Sequence, residues 1–550
     1  MSWKAWWTPA LFSALAVAWT WPAAFSGELL GHQPDTPGTV WFIDAAPRLL
    51  RSLTDTETGW PEPVTYTRPD SFTLMWLASL FAFVPPAWIH GLVQVVGVAT
   101  SAWAAEAFAR ALGAKPPWSL LAGATFACCG LASSALLEGY AYHVLNPWMP
   151  LLAWAWYRAT SPAGRWQHGV LAGLAWLLTL FTTAWLGIAA AVLVVGFFAG
   201  ALWRERGRIR WRPPLAALAT LAVPLAIYLR TFFSREAGEV DTGAVTDVLP
   251  QIGLAAIRAV GPIHSTDLLG HNQTAQVPAV GLALLAAAPA VLARHPGWRV
   301  VAVTGLGAFL LSFWPRLPLS ELPAWLPDTA TRAIELLYAS LLRFPARIGW
   351  TWALCAGAVG ACVATRLAER APKAAMGLWA IALIDLFGVA RQPWRQVASP
   401  SDVPSAYAAQ AGPVLDLWPE NIDRAPDWTI RTTNTGCFYQ TAHGRPIADH
   451  CIANLGVESP RIRIGRWLVS ELLAGRPAEA AAKLGALGFT TVALHPDLFH
   501  AGDRARLASA LNVIDASPTR TTDGGETVVA YRIPEVAGAD PAAEWSTWAD

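Results

Sequence analysis

Residues 166–203 read WQHGVLAGLAWLLTLFTTAWLGIAAAVLVVGFFAGALW, a stretch without a single lysine, arginine or acidic side chain. A bilayer crossing needs roughly 20 apolar residues, so the run is too long for one span and the right length for two, 166–183 and 184–203. The reversal falls at Thr182 and Thr183. Basic residues stand outside both ends, Arg158 and Arg165 before the run and Arg204, Arg206, Arg208, Arg210 and Arg212 after it. Short cytoplasmic loops collect lysine and arginine, which places both outer ends of this hairpin inside.

Working outward, similar apolar runs cover 7–25, 86–105, 118–137 and 141–157 on one side and 214–228, 276–292, 300–314, 349–365 and 374–389 on the other. With the hairpin they predict a polytopic α-helical membrane protein of about eleven spans. Lys4, Arg110 with Lys115, Arg294 with Arg299, and Arg366, Arg370 and Lys373 then fall on the same side as the hairpin's arginines. The opposite loops at 139–142 and 182–183 carry no base. The amino terminus is therefore expected in the cytoplasm, as an uncleaved span because no A-x-A site follows it, and the carboxyl terminus outside. The short run 71–84 stops at Pro85 and Pro86 and reads as an interfacial or re-entrant helix completing a large outer loop, 26–85.

Composition agrees with this class. Of 550 residues, 54% are hydrophobic and 14% charged, which excludes a wholly soluble chain. A net charge of +1 leaves no electrostatic footprint for nucleic acid, and 31 Trp suit the membrane–water interface. From Arg391 onward the composition turns globular, with strands expected at 413–417, 490–494 and 527–531 and helices at 463–473, 478–487 and 503–511. The domain reading is a membrane part, 1–390, with outer loops 26–85, 231–275 and 315–348, and a small extracytoplasmic α/β domain, 391–550. Within that domain Cys437 and Cys451 are either a disulfide or two free thiols, whereas Cys128, Cys129, Cys355 and Cys362 lie in spans as packing residues.

The sequence has no Walker loop, no G-x-S-x-G, no H-E-x-x-H and no C-x-x-C, so nothing points to nucleotide hydrolysis. Polar chemistry collects in the outer loops. Asp35 follows the first span and precedes a helix-like aromatic run, so it is either an N-cap or a general base facing the membrane surface. Asp44 is a further helix-face charge, and Asp55 and Glu57 form a D-x-E pair of the kind usually solvated in a turn. In the next loop Glu138 sits at the mouth of two spans, where a charge is costly without a task or a partner; His143 is that partner or a structural histidine. Asp385, towards the outer end of the last span, is a functional group or a buried one paired to a neighbour such as Arg391. The loop 231–275, with Arg235, Glu236, Glu239, Asp241, His264 and Asp267, reads mainly as a connector.

A first span, a long outer loop opening on an acid, a second acid in the next outer loop, many further spans and an outside α/β domain together resemble the GT-C glycosyltransferase superfamily. Short segments look like landmarks of its large bacterial members: RALGA at 110–114, EGY at 138–140 before WMPL at 148–151, RFPAR at 343–347 and QTAHGRPI at 440–447. The resemblance implies an inverting glycosyltransferase that moves a sugar from a polyprenyl-phosphate donor to a glycan, lipid or protein acceptor at the outer membrane face. On that reading Asp35 is the base, Glu138 the second acid, and Arg343 or Arg347 holds the lipid phosphate, the alternative for both arginines being interfacial anchoring. His143, Asp44 and Asp385 are further substrate-binding candidates. The first loop offers a lone Asp35 where many superfamily members carry a tight acidic pair. No cofactor is predicted, although a divalent cation is compatible with the acids. The competing expectation is a non-catalytic scaffold or lipid-linked sugar flippase, with Trp418, Trp428, Phe438 and Tyr439 as an acceptor clamp or docking surface.

Overall fold

A computed structural model describes residues 7–21, 23–26, 29, 35–52, 54–61, 64–65, 71–137, 139–205, 210–233, 287–289, 295–312, 345–384, 403–407, 411–421, 426–449, 451, 460–523 and 526–549. In chain order the helices are α1 (Trp7–Thr20), α2 (Ala23–Ser26), α3 (Asp35–Arg51), α4 (Phe72–Leu80), α5 (Pro86–Ala111), α6 (Leu120–Ala127), α7 (Gly130–Leu137), α8 (Trp148–Ala159), α9 (Trp166–Thr182), α10 (Ala184–Glu205), α11 (Arg212–Phe233), α12 (Pro296–Ser312), α13 (Gly349–Arg370), α14 (Pro372–Ile384), α15 (Pro426–His443), α16 (Pro460–Leu473), α17 (Pro477–Ala486), α18 (Ala501–Ile514) and α19 (Pro541–Ala549). Strands are β1 (Thr54–Asp55), β2 (Val64–Thr65), β3 (Val414–Leu417), β4 (Thr491–Leu494), β5 (Thr519–Asp523) and β6 (Glu526–Arg532). The chain divides into two compact units, one of Met1–Ser26, Asp70–Leu74 and Gly91–Gln396, the other of Gly27–Pro69, Met75–His90 and Val397–Asp550.

The first unit is a helical bundle. Among the described residues, α5, α13 and the Ala184–Arg204 portion of α10 are long and apolar enough to cross a membrane, and Arg212–Ile227 and Gly297–Ser312 are shorter apolar helices. Lipid offers no hydrophobic drive between helices, so close packing depends on small residues. Helix α13 shows this: residues 349–365, rich in Ala, Gly and Cys, are all buried. A Cβ on Gly357 would lie 3.1 Å from the Ala122 carbonyl oxygen of α6. Gly169 of α9 packs so tightly on α11 that a Cβ there would run into the carbonyl oxygen of Pro213. The hairpin of α9 and α10 turns at Thr183, which is extended.

Two expected spans are not continuous. The run 118–137 is two short helices, interrupted where Cys128 leaves helical geometry. The break is tolerated because both cysteines are buried in protein and Cys128 still donates its N–H to Ala124 O at 3.0 Å. The run 141–157 starts as a single 3-10 turn, Ala141–Val144, and becomes a helix only at Trp148. Pro147 cannot donate inside a helix, and Asn146 Oδ1 takes the Met149 N–H at 3.4 Å instead. The run 276–292 lies mostly outside the described residues.

The second unit is built on a sheet of order β3-β4-β6-β5. β3 and β4 are parallel, Val414 opposite Thr491, while β4–β6 and β6–β5 are antiparallel. Strand side chains alternate between faces. Leu415 and Leu417 enter one core with Ile464, Leu468, Leu484 and Leu507 of α16, α17 and α18. Val414 enters the other, with Leu29, Val40, Tyr407, Trp418, Phe438 and Tyr439. Leu29 and Val40 come from the segment after the first apolar run, so α3 and the sheet share a core. Trp418, Phe438 and Tyr439, expected to be exposed as an acceptor clamp or docking surface, are buried there. The side chain of Trp428 lies outside the described residues.

Candidate functional site

Helix α3 begins at Asp35 itself. Pro37 suits the first turn, where its missing N–H goes unneeded, and the helix N-terminus favours a carboxylate. Beyond it, Val40, Trp41, Phe42, Ile43, Ala45, Ala46 and Leu49 are buried, packing α3 against α15. The Trp41 indole N–H donates to Gln440 Oε1 of α15 at 2.7 Å. Asp44 sits half-buried; burial pushes its carboxyl upward against the opposing pull of Arg48, 3.5 Å away. Arg48 also reaches Asp55 at 3.6 Å and Glu57 at 3.2 Å. The D-x-E pair is therefore no solvated turn. Asp55 is buried, and accepts the Glu57 N–H at 3.2 Å and the Thr58 hydroxyl at 3.3 Å.

On the same face of the sheet lies a charge cluster that sequence reading missed. His495, fully buried after β4, meets Glu526 Oε1 through Nδ1 at 2.7 Å and Asp416 Oδ1 through Nε2 at 3.3 Å. Tyr407 donates its hydroxyl to Asp416 Oδ1 at 2.5 Å, and Tyr439 donates to Glu526 Oε2 at 2.5 Å. The Trp418 ring stacks on the imidazole with centroids 3.6 Å apart. Burial alone would lower the His495 pKa, but the hydrogen bonds and charges of Asp416 and Glu526 outweigh it and push it up to about 9. An imidazolium thus sits between two carboxylates. Burial raises the phenols of Tyr407 and Tyr439, so both stay donors. His443, its ring stacked on Tyr407, is pushed down to about 4 by burial. One signal for the cluster stood in the sequence: Asp416 interrupts the apolar strand VLDL, and an acid buried in a strand requires a partner.

In the helical bundle, His143 lies in the 3-10 turn Ala141–Val144, buried and stacked on Tyr140 at 5.1 Å. Arg347 lies in a second 3-10 turn, Pro345–Ile348, with its guanidinium over the Trp185 ring, 4.9 Å from the centroid. These two candidates belong to the helical unit, whereas Asp35 and Asp44 belong to the sheet-containing unit. Glu138, Arg343 and Asp385 lie outside the described residues, and of Asp35 only the backbone position is described. Cys437 and Cys451 form a disulfide with Cα atoms 5.5 Å apart, and the four other cysteines are free and buried. Among the described residues no group of three His, Cys, Asp or Glu side chains is arranged to hold a metal ion. Both His495 nitrogens are already committed to carboxylates.

A helical bundle together with a sheet-containing unit gives this chain a fold similar to those of two solved glycosyltransferase structures. The cryo-EM structure of the arabinofuranosyltransferase AftD from mycobacteria matches 98% of this chain and 40% of its own, at 15% identity and a TM-score of 0.52. The oligosaccharyltransferase of Archaeoglobus fulgidus in its apo form matches 93% of this chain and 72% of its own, at 10% identity and a TM-score of 0.50. The chain spans about two fifths of the length of AftD. No protein-family model matches the sequence, and no curated protein sequence does. The likeness is one of fold, and with the apolar helices it makes this an integral membrane protein.

Proposed function

We propose that the protein transfers a sugar from a polyprenyl-phosphate-linked donor to a glycan, lipid or protein acceptor at the extracytoplasmic face of the membrane. The observation that supports this reading is the placement of Asp35 as the first residue of a buried, well-anchored helix just after the first apolar helix, within a GT-C fold. Asp35 takes the proton of the acceptor hydroxyl as that oxygen attacks the anomeric carbon. The bond from that carbon to the donor phosphate breaks, the configuration inverts and the phosphate leaves on its lipid. Arg347 is assigned to the phosphate, with Arg343 as its companion, because a guanidinium binds phosphate through paired hydrogen bonds. Glu138 positions acceptor or donor, and His143 offers a hydrogen bond. Asp44 and Asp385 are secondary binding candidates.

The test is reconstitution in lipid with a panel of radiolabelled polyprenyl-phosphate sugars and cell-envelope extract as acceptor. Wild type is compared with Asp35→Asn and Glu138→Gln at equal folded yield. Loss of a general base is expected to slow transfer by about 100-fold or more in Asp35→Asn. Label transfer unchanged by that substitution would remove Asp35 from the mechanism.

A further inference from the structure

Residues 437, 439 and 440 of α15 each carry a different cross-link. Cys437 is disulfide-bonded to Cys451. Tyr439 donates to Glu526 in the His495 cluster. Gln440 faces the other way: its Oε1 accepts the Trp41 indole N–H at 2.7 Å, and its amide nitrogen donates to the Glu57 backbone oxygen at 3.4 Å and to Glu57 Oε2 at 3.2 Å. Indole nitrogen can only donate, so the orientation of the amide is fixed by its partners. Successive helical residues point about 100° apart, and α15 uses that angle to grip the sheet with one side chain and α3 with the next. The main chain repeats the grip: Ile447 N–H donates to Glu57 O at 2.9 Å, Trp60 N–H to Ile447 O at 2.9 Å and Gly59 N–H to Asp449 O at 2.8 Å.

We infer that Gln440 is a positioning residue for Asp35, acting through Trp41 to set the rotation and height of α3. Trp41 lies about 9 Å further along the same helix than Asp35, at 1.5 Å per residue. Trp41 is fully buried and Gln440 nearly so. An apolar pair would fill this volume as well, but a donor–acceptor pair admits one rotational setting of α3 where greasy packing admits several. The proposal rests on Asp35 being the base, and the helix placement it claims can be measured without any turnover.

The variants are Gln440→Met, which keeps length without polar atoms, Trp41→Phe, which keeps a ring without the N–H, and the double variant, all in the full-length chain in lipid nanodiscs. Hydrogen exchange of peptides covering residues 35–43 reads the placement of α3. Trp41→Phe is expected to accelerate it about tenfold, the effect of one buried hydrogen bond, and Gln440→Met at least as much because it also loses the bonds to Glu57, while exchange in β4 and β6 stays at the wild-type rate. The double variant is expected to match Gln440→Met, which already removes the Trp41 bond along with those to Glu57. With a donor from the same polyprenyl-phosphate panel, kcat is expected to fall up to about 100-fold with KM unchanged, the penalty of a base misplaced by about 1 Å. Unchanged exchange in 35–43, or additive effects in the double variant, would overturn the positioning link. Faster exchange with kcat intact would show that α3 is held by Gln440 but that the base is elsewhere. If only Asp35→Asn fails to affect transfer, the functional reading falls while the mechanical one stands on exchange alone.

Discussion

Replacing His495 by glutamine should remove a pH-dependent share of the sheet unit's stability. The folded pKa of His495 is pushed up to about 9 from an ordinary 6.5. A group whose folded pKa is raised stabilises fully below its unfolded pKa, and that contribution is lost as pH rises through the folded value. The window is therefore pH 6.5 to about 9, and at about 1.4 kcal/mol per unit the cluster should lose about 3 kcal/mol across it. Within the window the other members stay silent: Tyr407 and Tyr439 are raised, and Glu526, although burial favours its neutral form, is lowered by His495 and Tyr439 and stays ionised. His443 has a depressed pKa, so its contribution changes below pH 6.5 and is common to wild type and variant. The assay is denaturant unfolding of the full chain equilibrated at several pH values, each followed by a hydrogen-exchange pulse at one fixed pH and mass spectrometry of peptides from β4 and β6. At pH 6.5 the variant should be about 3 to 5 kcal/mol less stable, because two buried carboxylates lose their counter-charge. The gap should narrow by about 3 kcal/mol on going to pH 9. A gap that stays constant over this range would refute a charged His495 at neutral pH.

Two further outcomes follow from the same physics. Arg461 and Asp449 form a buried ion pair at 2.5 Å, so Arg461→Met should cost about 3 to 5 kcal/mol, and adding Asp449→Leu should recover most of it in the same unfolding assay. In the bundle, Gly169→Leu drives a side chain into the Pro213 carbonyl, and should separate α9 from α11; a sharp loss of monodisperse protein in detergent, with Gly307→Leu as the control facing open space, checks it.

Much of the helical part could be read because lipid imposes one rule, long uncharged runs, and the α9–α10 hairpin obeys it without exception. Where a run carries its own breaker the sequence says so as well: Asn146-Pro147 forbids a continuous helix through 141–157. β3, β4 and β6 lie on apolar stretches from which strands are expected. β5 reads TRTTD and is largely exposed, with no alternation to reveal it. Helix α15 is similarly opaque: it opens on polar sequence, and the burial of residues 436–440 is decided by distant partners. The His495 cluster draws on residues from 407 to 526, each unremarkable among its neighbours except Asp416. Aromatic residues between polar segments suggested a surface, yet Trp418, Phe438 and Tyr439 are buried because the segment after the first apolar run supplies Leu29 and Val40 to cover that face. No local pattern announces that a segment near residue 40 completes a sheet near residue 490.

The shared core of α3 and the sheet also sets a timetable for synthesis. Trp41 and Gln440 are 399 residues apart. At translation rates of about 5 to 20 residues per second, Trp41 leaves the ribosome about 20 to 80 s before its partner exists. Throughout that interval Leu29, Val40 and Trp41 have no core to enter while most of the bundle is being made. The nascent chain therefore carries the aromatic face of α3 without its final partner while most of the bundle is made.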